Sequence, residues 1–532
     1  MKQLSLMSVC AALSLMACPP TGVVCKPGTV PCGTGCVDPA SDRRNCGTCG
    51  NICGPQQDCT ASGEGSACAC RAGTSLCAGT CSATEFDAKN CGGCGNACAT
   101  GQVCEASTCK ESCTLGLLRC GSSCVDSASD EANCGGCDVA CAQGQQCVAG
   151  VCDYAAVAAC YWSGQIVGFD PTTGVKGPLS DLGSNPAALA RLGTTVLAAD
   201  GTDRRLYSAL PTASGTYAKT NVASQTGAVP NQVLVDRPFV YVVNAGSGTL
   251  TVLREGSDAG LLQLDAGVEG TLVLGAVAEL PLGMNTFPQG VVKVGSKLFV
   301  PLYGGYGAEA ADAGQALAQI DVTNPAAPTL AGRISFKDLD LKAFDGGTPV
   351  ARPWAAVARN GAVYVALNNL NPDTYAPEGP GLVARVDAVS GVVTVIDLGA
   401  ADCLNPQWLG AVGTSLAVSC GGRITYSPTF AVESVSAAGV VVLDALDARL
   451  PTVWSSGGSC GADAGACLLM MPGRFAVSGQ QVLLADQNGG RVVVLEVTDA
   501  GVVEVRGGAS ALAVCPVSAT TGVANVADIL SR

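Results

Sequence analysis

The chain has 532 residues, 32 cysteines, no histidine and a formal net charge of −14. The acidic balance counts against nucleic acid and anionic lipid headgroups as partners. Without histidine there is no imidazole acid or base, no CxxCH haem attachment and none of the commonest transition-metal ligand.

At the N-terminus Lys2 precedes a short apolar run, Leu4 to Met16, too brief to span a bilayer and typical of an export signal over 1–17. It ends in Leu15-Met16-Ala17-Cys18, which resembles the lipobox of bacterial lipoproteins. That resemblance implies cleavage before Cys18, lipid on its thiol and a lipidated tether over 18–24. An ordinary secretory signal, with Cys18 paired elsewhere, is the alternative. Pro19 and Pro20 stand where aspartate would resemble an inner-membrane retention signal. The expected location is therefore the outer membrane, at the cell surface or on its periplasmic face, with the membrane touched only through the lipid.

Three eight-cysteine units follow, over 25–68, 70–109 and 113–152. Their spacing is C-x6-C-x3-C-x9-C-x2-C-x3-C-x5-C-x4-C, and only the last gap of the first unit departs, at eight residues. Even numbers of cysteines in units too small to fold on apolar burial read as disulfide stapling outside the cytosol. The densest signature is Asp-x-x-Asn-Cys-Gly-x-Cys, at 42–49, 87–94 and 130–137. Its glycines permit turns with positive φ, and its Asp and Asn side chains bond nearby backbone N–H groups. A redox or zinc role for each CxxC lacks its usual setting, a βαβ unit or a second CxxC at ribbon spacing. Pairing within a unit stays open, since eight cysteines allow 105 connectivities. The arrangement resembles the plant stigma-specific cysteine-rich proteins, and similar tandem modules occur in myxobacterial-type surface lipoproteins. The resemblance covers about a quarter of the chain and departs at Asp138, where Gly50 and Gly95 stand in the other units.

From Asp153 to the end at 532 the texture is β-rich, with Gly, Asn and Asp turns and almost no helical periodicity. A repeat begins at Pro186, Pro230, Pro288, Pro353, Pro406 and Pro472: strand, tight turn, second strand, loop, third strand, fourth strand. Four-stranded units of this length resemble β-propeller blades, particularly the YVTN and NHL-like bacterial propellers. Strands over 158–162, 165–170 and 175–181, joined by the tail at 523–530, supply a seventh. The expected fold class is thus all-β, a seven-bladed β-propeller preceded by three small disulfide-rich, loop-dominated modules.

Six cysteines remain beyond the signal, Cys18 and the modules. In an antiparallel blade the start of the first strand lies beside the end of the second, which pairs Cys403 with Cys420. The same geometry in the composite blade pairs Cys160 with Cys515, and Cys460 is left for Cys467. Blade topology also sorts the loops. Long insertions over 303–315, 368–380 and 421–439, with the connection 336–352, fall on one face. They carry Tyr303, Tyr306, Tyr375, Tyr426 and Phe430 in a chain only 4% aromatic, so these are the ligand-face candidates. Asp338, Asp340 and Asp345 lack the order of a calcium loop and read as a solvated segment.

No nucleophile elbow, phosphate-cradling Gly-Lys motif or dinucleotide fingerprint is present. No catalytic residue, metal or cofactor is expected. The leading expectation is a non-catalytic, lipid-anchored envelope protein, in which a disulfide-rich stalk carries a binding or adhesion propeller for an envelope or extracellular protein or glycan. A purely structural envelope component and a propeller enzyme of lactonase or quinoprotein-like type are the other readings.

Overall fold

The structure, a computed structural model, describes residues 25, 28–32, 35–54, 56–62, 65–256, 274–305, 314–344, 346–399, 403–426, 432–450, 454–456, 458–459, 471–498, 501–506, 511–518 and 524–532. The expected export signal, tether and lipidated Cys18 lie outside these residues. Among those described the protein is almost entirely β, and its single helical element is a three-residue 3-10 turn at Tyr161–Ser163. Among the described residues no helix is long and apolar enough to cross a membrane. Two compact units are formed: one ends at Ser127 and includes Gly136–Asp138, and the other comprises Ala128–Gly135 and Val139–Arg532.

All three cysteine units share one connectivity, first to third, second to fifth, fourth to seventh and sixth to eighth. The shared signature explains itself locally. Asp42, Asp87 and Asp130 each accept from the backbone N–H two residues on and from the amide of Asn45, Asn90 or Asn133. The glycine after the fourth cysteine (Gly47, Gly92, Gly135) has φ near +74° and lies against a backbone carbonyl that any Cβ would strike. Both the backbone angle and the space demand glycine there. Asp138 adopts φ +62°, the same left-handed turn as its counterparts Gly50 and Gly95.

In the second unit, seven sheets are each built on a path of four antiparallel strands among the described residues, and one of them carries a fifth, Leu512–Ala513, paired with Arg491–Thr498. Six start in turn at Pro186, Pro230, Val292, Val350, Pro406 and Pro472, and are numbered sheets 1 to 6 here. The closing sheet joins the C-terminal strand Val526–Ser531 to Ala156–Cys160, Gln165–Phe169 and Ser180–Asp181. Trp162, placed in a strand by the sequence, lies instead in the 3-10 turn, which follows the strand at Cys160 and is closed by Gly164 at φ +70°.

Each repeat proline pairs with the residue fourteen positions on: Pro186 with Asp200, Pro230 with Asn244, Pro288 with Leu302, Pro353 with Leu367, Pro406 with Cys420 and Pro472 with Asp486. In five of these a register shift follows at once, as expected where a residue without an N–H stands in a ladder. Second and third strands are buried along almost their whole length, whereas outer strands such as Thr329–Ser335 alternate. The reason is packing on both faces. Seven apolar cores lie between consecutive sheets, and the last joins sheet 6 to the closing sheet through Leu483, Val494, Ala158 and Ile529. The sheets therefore form a closed, propeller-like ring.

The second half of the third cysteine module belongs to this ring. The Gln145 side chain donates to the Thr212 carbonyl at 2.9 Å, and the Ala142 N–H to that of Ala213, also at 2.9 Å. Asp153 pairs with Arg191 and accepts the Tyr217 hydroxyl at 2.8 Å. The turn at 212–216 joins a third strand to a fourth. The half-module thus sits on the face opposite the second-to-third loops.

Candidate functional site

The insertions singled out in the sequence meet around a residue it did not single out. Arg352 stands immediately before Pro353, at the loop-facing end of sheet 4, and is fully buried. Its Nη1 donates to the carbonyls of Gly305, Gly304 and Tyr303 at 3.0, 3.3 and 3.4 Å, and Nη2 reaches Pro372 at 3.5 Å. The guanidinium carbon lies 4.9 Å from the centre of the Tyr303 ring and 4.6 Å from that of Tyr375. No carboxylate pairs with it among the described residues. Carbonyl dipoles and two aromatic faces take the place of a counter-ion.

Tyr303 and Tyr375 are consequently framework before they are ligand-facing. Tyr375 also donates to the Gly305 carbonyl at 3.2 Å, and Tyr303 packs edge-on against Trp354 at 5.1 Å. Together they tie the loop after sheet 3's second strand to the loop of sheet 4. Arg423 extends the assembly: its Nη2 donates to the Pro377 carbonyl at 2.7 Å, and it lies over Phe344 of the 336–352 connection. Arg423–Tyr426 pairs with Val432–Ser436, which pairs with Gly458–Ser459, so the third insertion is a small sheet of its own. Tyr426 on its edge strand is 53% exposed and is the described candidate most open to a partner. Tyr306, Phe430, Cys460 and Cys467 lie outside the described residues, as does Asp345. Asp338 and Asp340 are exposed.

The axis of the ring holds a second polar cluster. Arg474, in the first strand of sheet 6, donates to the Ala187 carbonyl of sheet 1 at 3.2 Å and to the Asn231 carbonyl of sheet 2 at 2.6 Å. It lies 3.5 Å from the Asp528 carboxylate of the closing sheet and 4.8 Å from the Trp408 ring of sheet 5. Sheets 6 and 2 stand three places apart in a ring of seven, so a side chain touching both must cross its centre. Asp528 also accepts the N–H groups of Leu189 and Ile529. Burial holds its carboxyl above the ordinary range, against the pull of Arg474. The axis is thus crossed by a guanidinium, one long side chain reaching carbonyls on two distant sheets.

Two disulfides occupy equivalent places at the loop-facing ends of second strands, Cys160 bonded to Cys515 and Cys420 to Cys403. In sheets 1 and 6 the equivalent residues are Asp200 and Asp486. These accept the backbone N–H just before the repeat proline, from Asn185 at 2.7 Å and Met471 at 3.1 Å. A carboxylate and a disulfide thus do the same stapling. The sulfur clusters Cys46/Cys53/Cys68, Cys91/Cys98/Cys109 and Cys134/Cys141/Cys152 have metal-like spacing, but every member is disulfide-bonded.

The model of the stigma-specific STIG1-like protein family matches residues 105–155. No curated protein matches the chain. Among solved structures, the periplasmic gluconolactonase PpgL of Pseudomonas aeruginosa is 16% identical, covering 66% of this chain and 94% of its own, with a TM-score of 0.42. The hydrazine synthase of Kuenenia stuttgartiensis is 16% identical over 58% of this chain and 76% of its own, with a TM-score of 0.39. Apo AztD from Citrobacter koseri is 14% identical over 66% and 94%, with a TM-score of 0.38. Likenesses this distant carry no functional argument.

Proposed function

We propose that this is a non-catalytic binding protein of the cell envelope, whose ring presents the loop-bearing face to an extracellular or envelope protein or glycan. The observation that carries the reading is the fixing of three insertions and a long connection onto one face by Arg352 and Arg423. The half-module docks on the other face, which leaves the insertions unobstructed by it. Rigid scaffolding beneath long loops is how recognition surfaces are built. Arg474 and Asp528 across the axis weigh against an axial reaction centre of lactonase type. The disulfides suit an oxidising compartment, and the lipobox-like segment before Cys18 supplies the anchor in this reading.

A glycan array and an affinity pull-down with the exported chain test the proposal. Saturable binding that is lost in Tyr426→Ala supports it. Binding that is indifferent to Tyr426→Ala and to Arg352→Met, or turnover of a lactone, sinks it.

A further inference from the structure

Buried polar atoms without a hydrogen-bond partner are rare, because each forfeits its hydration. Thirteen side-chain atoms are in this state among the described residues, and four lie at the loop-facing end of sheet 4: Arg352 Nε, Asn368 Oδ1, Asn369 Oδ1 and Glu378 Oε2. Arg352 and Asn368 are opposite each other in the sheet, and so share one side of it. Asn369 and Glu378 share the other.

The second pair is defined by backbone register. The Glu378 N–H donates to the Asn369 carbonyl at 2.9 Å, Leu370 bridges Pro377, and the Asn371 N–H donates to the Ala376 carbonyl at 2.9 Å. Asn369 and Glu378 are therefore directly opposed, with side chains on the same side of the ladder. Asn371 lies on that side too, and its Nδ2 donates to Glu378 Oε1 at 2.5 Å. Asn369 is 1% exposed, and its Nδ2 donates to the Pro380 carbonyl at 2.9 Å. That bond orients the amide and leaves Oδ1 as an unused acceptor. Glu378 has no ion pair among the described residues, and its Oε2 is buried beside Gly347 of the 336–352 connection.

We propose that Asn369 Oδ1 and Glu378 Oε2 hold a divalent cation of the calcium class. Both are hard oxygen acceptors with no donor in reach, and one carries charge. Calcium accepts irregular sets of carboxylate, amide, backbone carbonyl and water oxygens, whereas magnesium demands near-ideal octahedral geometry and keeps its water. The cation neutralises a carboxylate that no lysine or arginine serves among the described residues. It lies beside the 336–352 connection, where the Phe344 N–H meets the Glu378 carbonyl. The site stands whether or not the face binds a partner.

The test is thermal unfolding of the full exported chain after chelation, titrated with calcium or magnesium chloride. Calcium at about 100 times its Kd raises the melting temperature by about 3 °C for a unit of this size. Glu378→Gln preserves the shape and the Asn371 contact, melts close to the chelated native chain and loses the calcium shift. Asn369→Leu loses it as well. The proposal is overturned if calcium does not move the native chain, if Glu378→Gln keeps the full shift, or if magnesium matches calcium at equal concentration.

Discussion

Replacing Arg474 by methionine removes the axial cation while keeping an unbranched, apolar side chain against Trp408. Two charge-assisted hydrogen bonds disappear, to Ala187 and Asn231, each contributing about 1.5–3 kcal/mol. Asp528 keeps its two backbone donors but loses its cation at 3.5 Å. Breaking a buried pair from one side costs about 3–5 kcal/mol in all, a total that already contains those bonds. Methionine packing on the indole returns about 1 kcal/mol. The expected loss is about 2–4 kcal/mol at neutral pH, or roughly 2–5 °C in melting temperature for a unit of this size. The sign with pH follows from Asp528. Burial raises its folded pKa above the ordinary 3.8, and loss of Arg474 raises it further. A raised folded pKa contributes stability that is present below the unfolded value and is lost as pH rises through the folded one. The deficit of Arg474→Met should therefore shrink on acidification. It should also shrink in the double variant with Asp528→Asn, which leaves only the two carbonyl bonds to lose. Denaturant unfolding followed by circular dichroism measures both. A neutral-pH loss under about 1 kcal/mol, a deficit insensitive to pH, or coupling below about 0.5 kcal/mol in the double-mutant cycle would refute this account.

Three further outcomes are expected. Removing the Cys160–Cys515 bridge, with a sequence separation of 355, should cost more than removing Cys403–Cys420, with a separation of 17. The chain-entropy model puts these at about 5–6 and about 3 kcal/mol. Calorimetry of the two double-alanine variants checks the order, and a reversal contradicts it. Glu105 is held down from 4.5 to about 2, chiefly by hydrogen bonds from Lys110 and Thr114. Its contribution is present above pH 4.5 and lost as pH falls towards 2, so Glu105→Gln should flatten acid unfolding in that window; an unchanged profile speaks against the assignment. Tyr217→Phe deletes the hydroxyl bond to buried Asp153 and should lower stability by about 1.5–3 kcal/mol. Native-state proteolysis should then cut sooner near the half-module, and unaltered resistance would detach this bond from its docking.

The cysteine spacing announced staples, and the repeat prolines announced where sheets begin, because both are local. Proline lacks an N–H wherever it stands, and a glycine-bearing turn folds from its immediate neighbours. Strand parity then sorted the insertions onto one face and set Cys403 beside Cys420. Tyr303 and Tyr375 were legible as loop aromatics, but not as the two walls around Arg352. That arrangement requires carbonyls 47 to 49 residues away. The end of the third module at Cys152 was legible as a cysteine pattern, yet its second half packs with the ring through Thr212 and Ala213.

Composition and periodicity by themselves determined the all-β class, the stapled modules and the face on which the long loops emerge. Each of these depends on bonds between near neighbours or on the two-residue alternation of a strand. Only the tertiary structure decided what Arg352, Arg474, Asn369 and Glu378 do. A buried charge or amide is defined by which distant groups satisfy it, and the Arg474 partners lie 287 and 243 residues away along the chain.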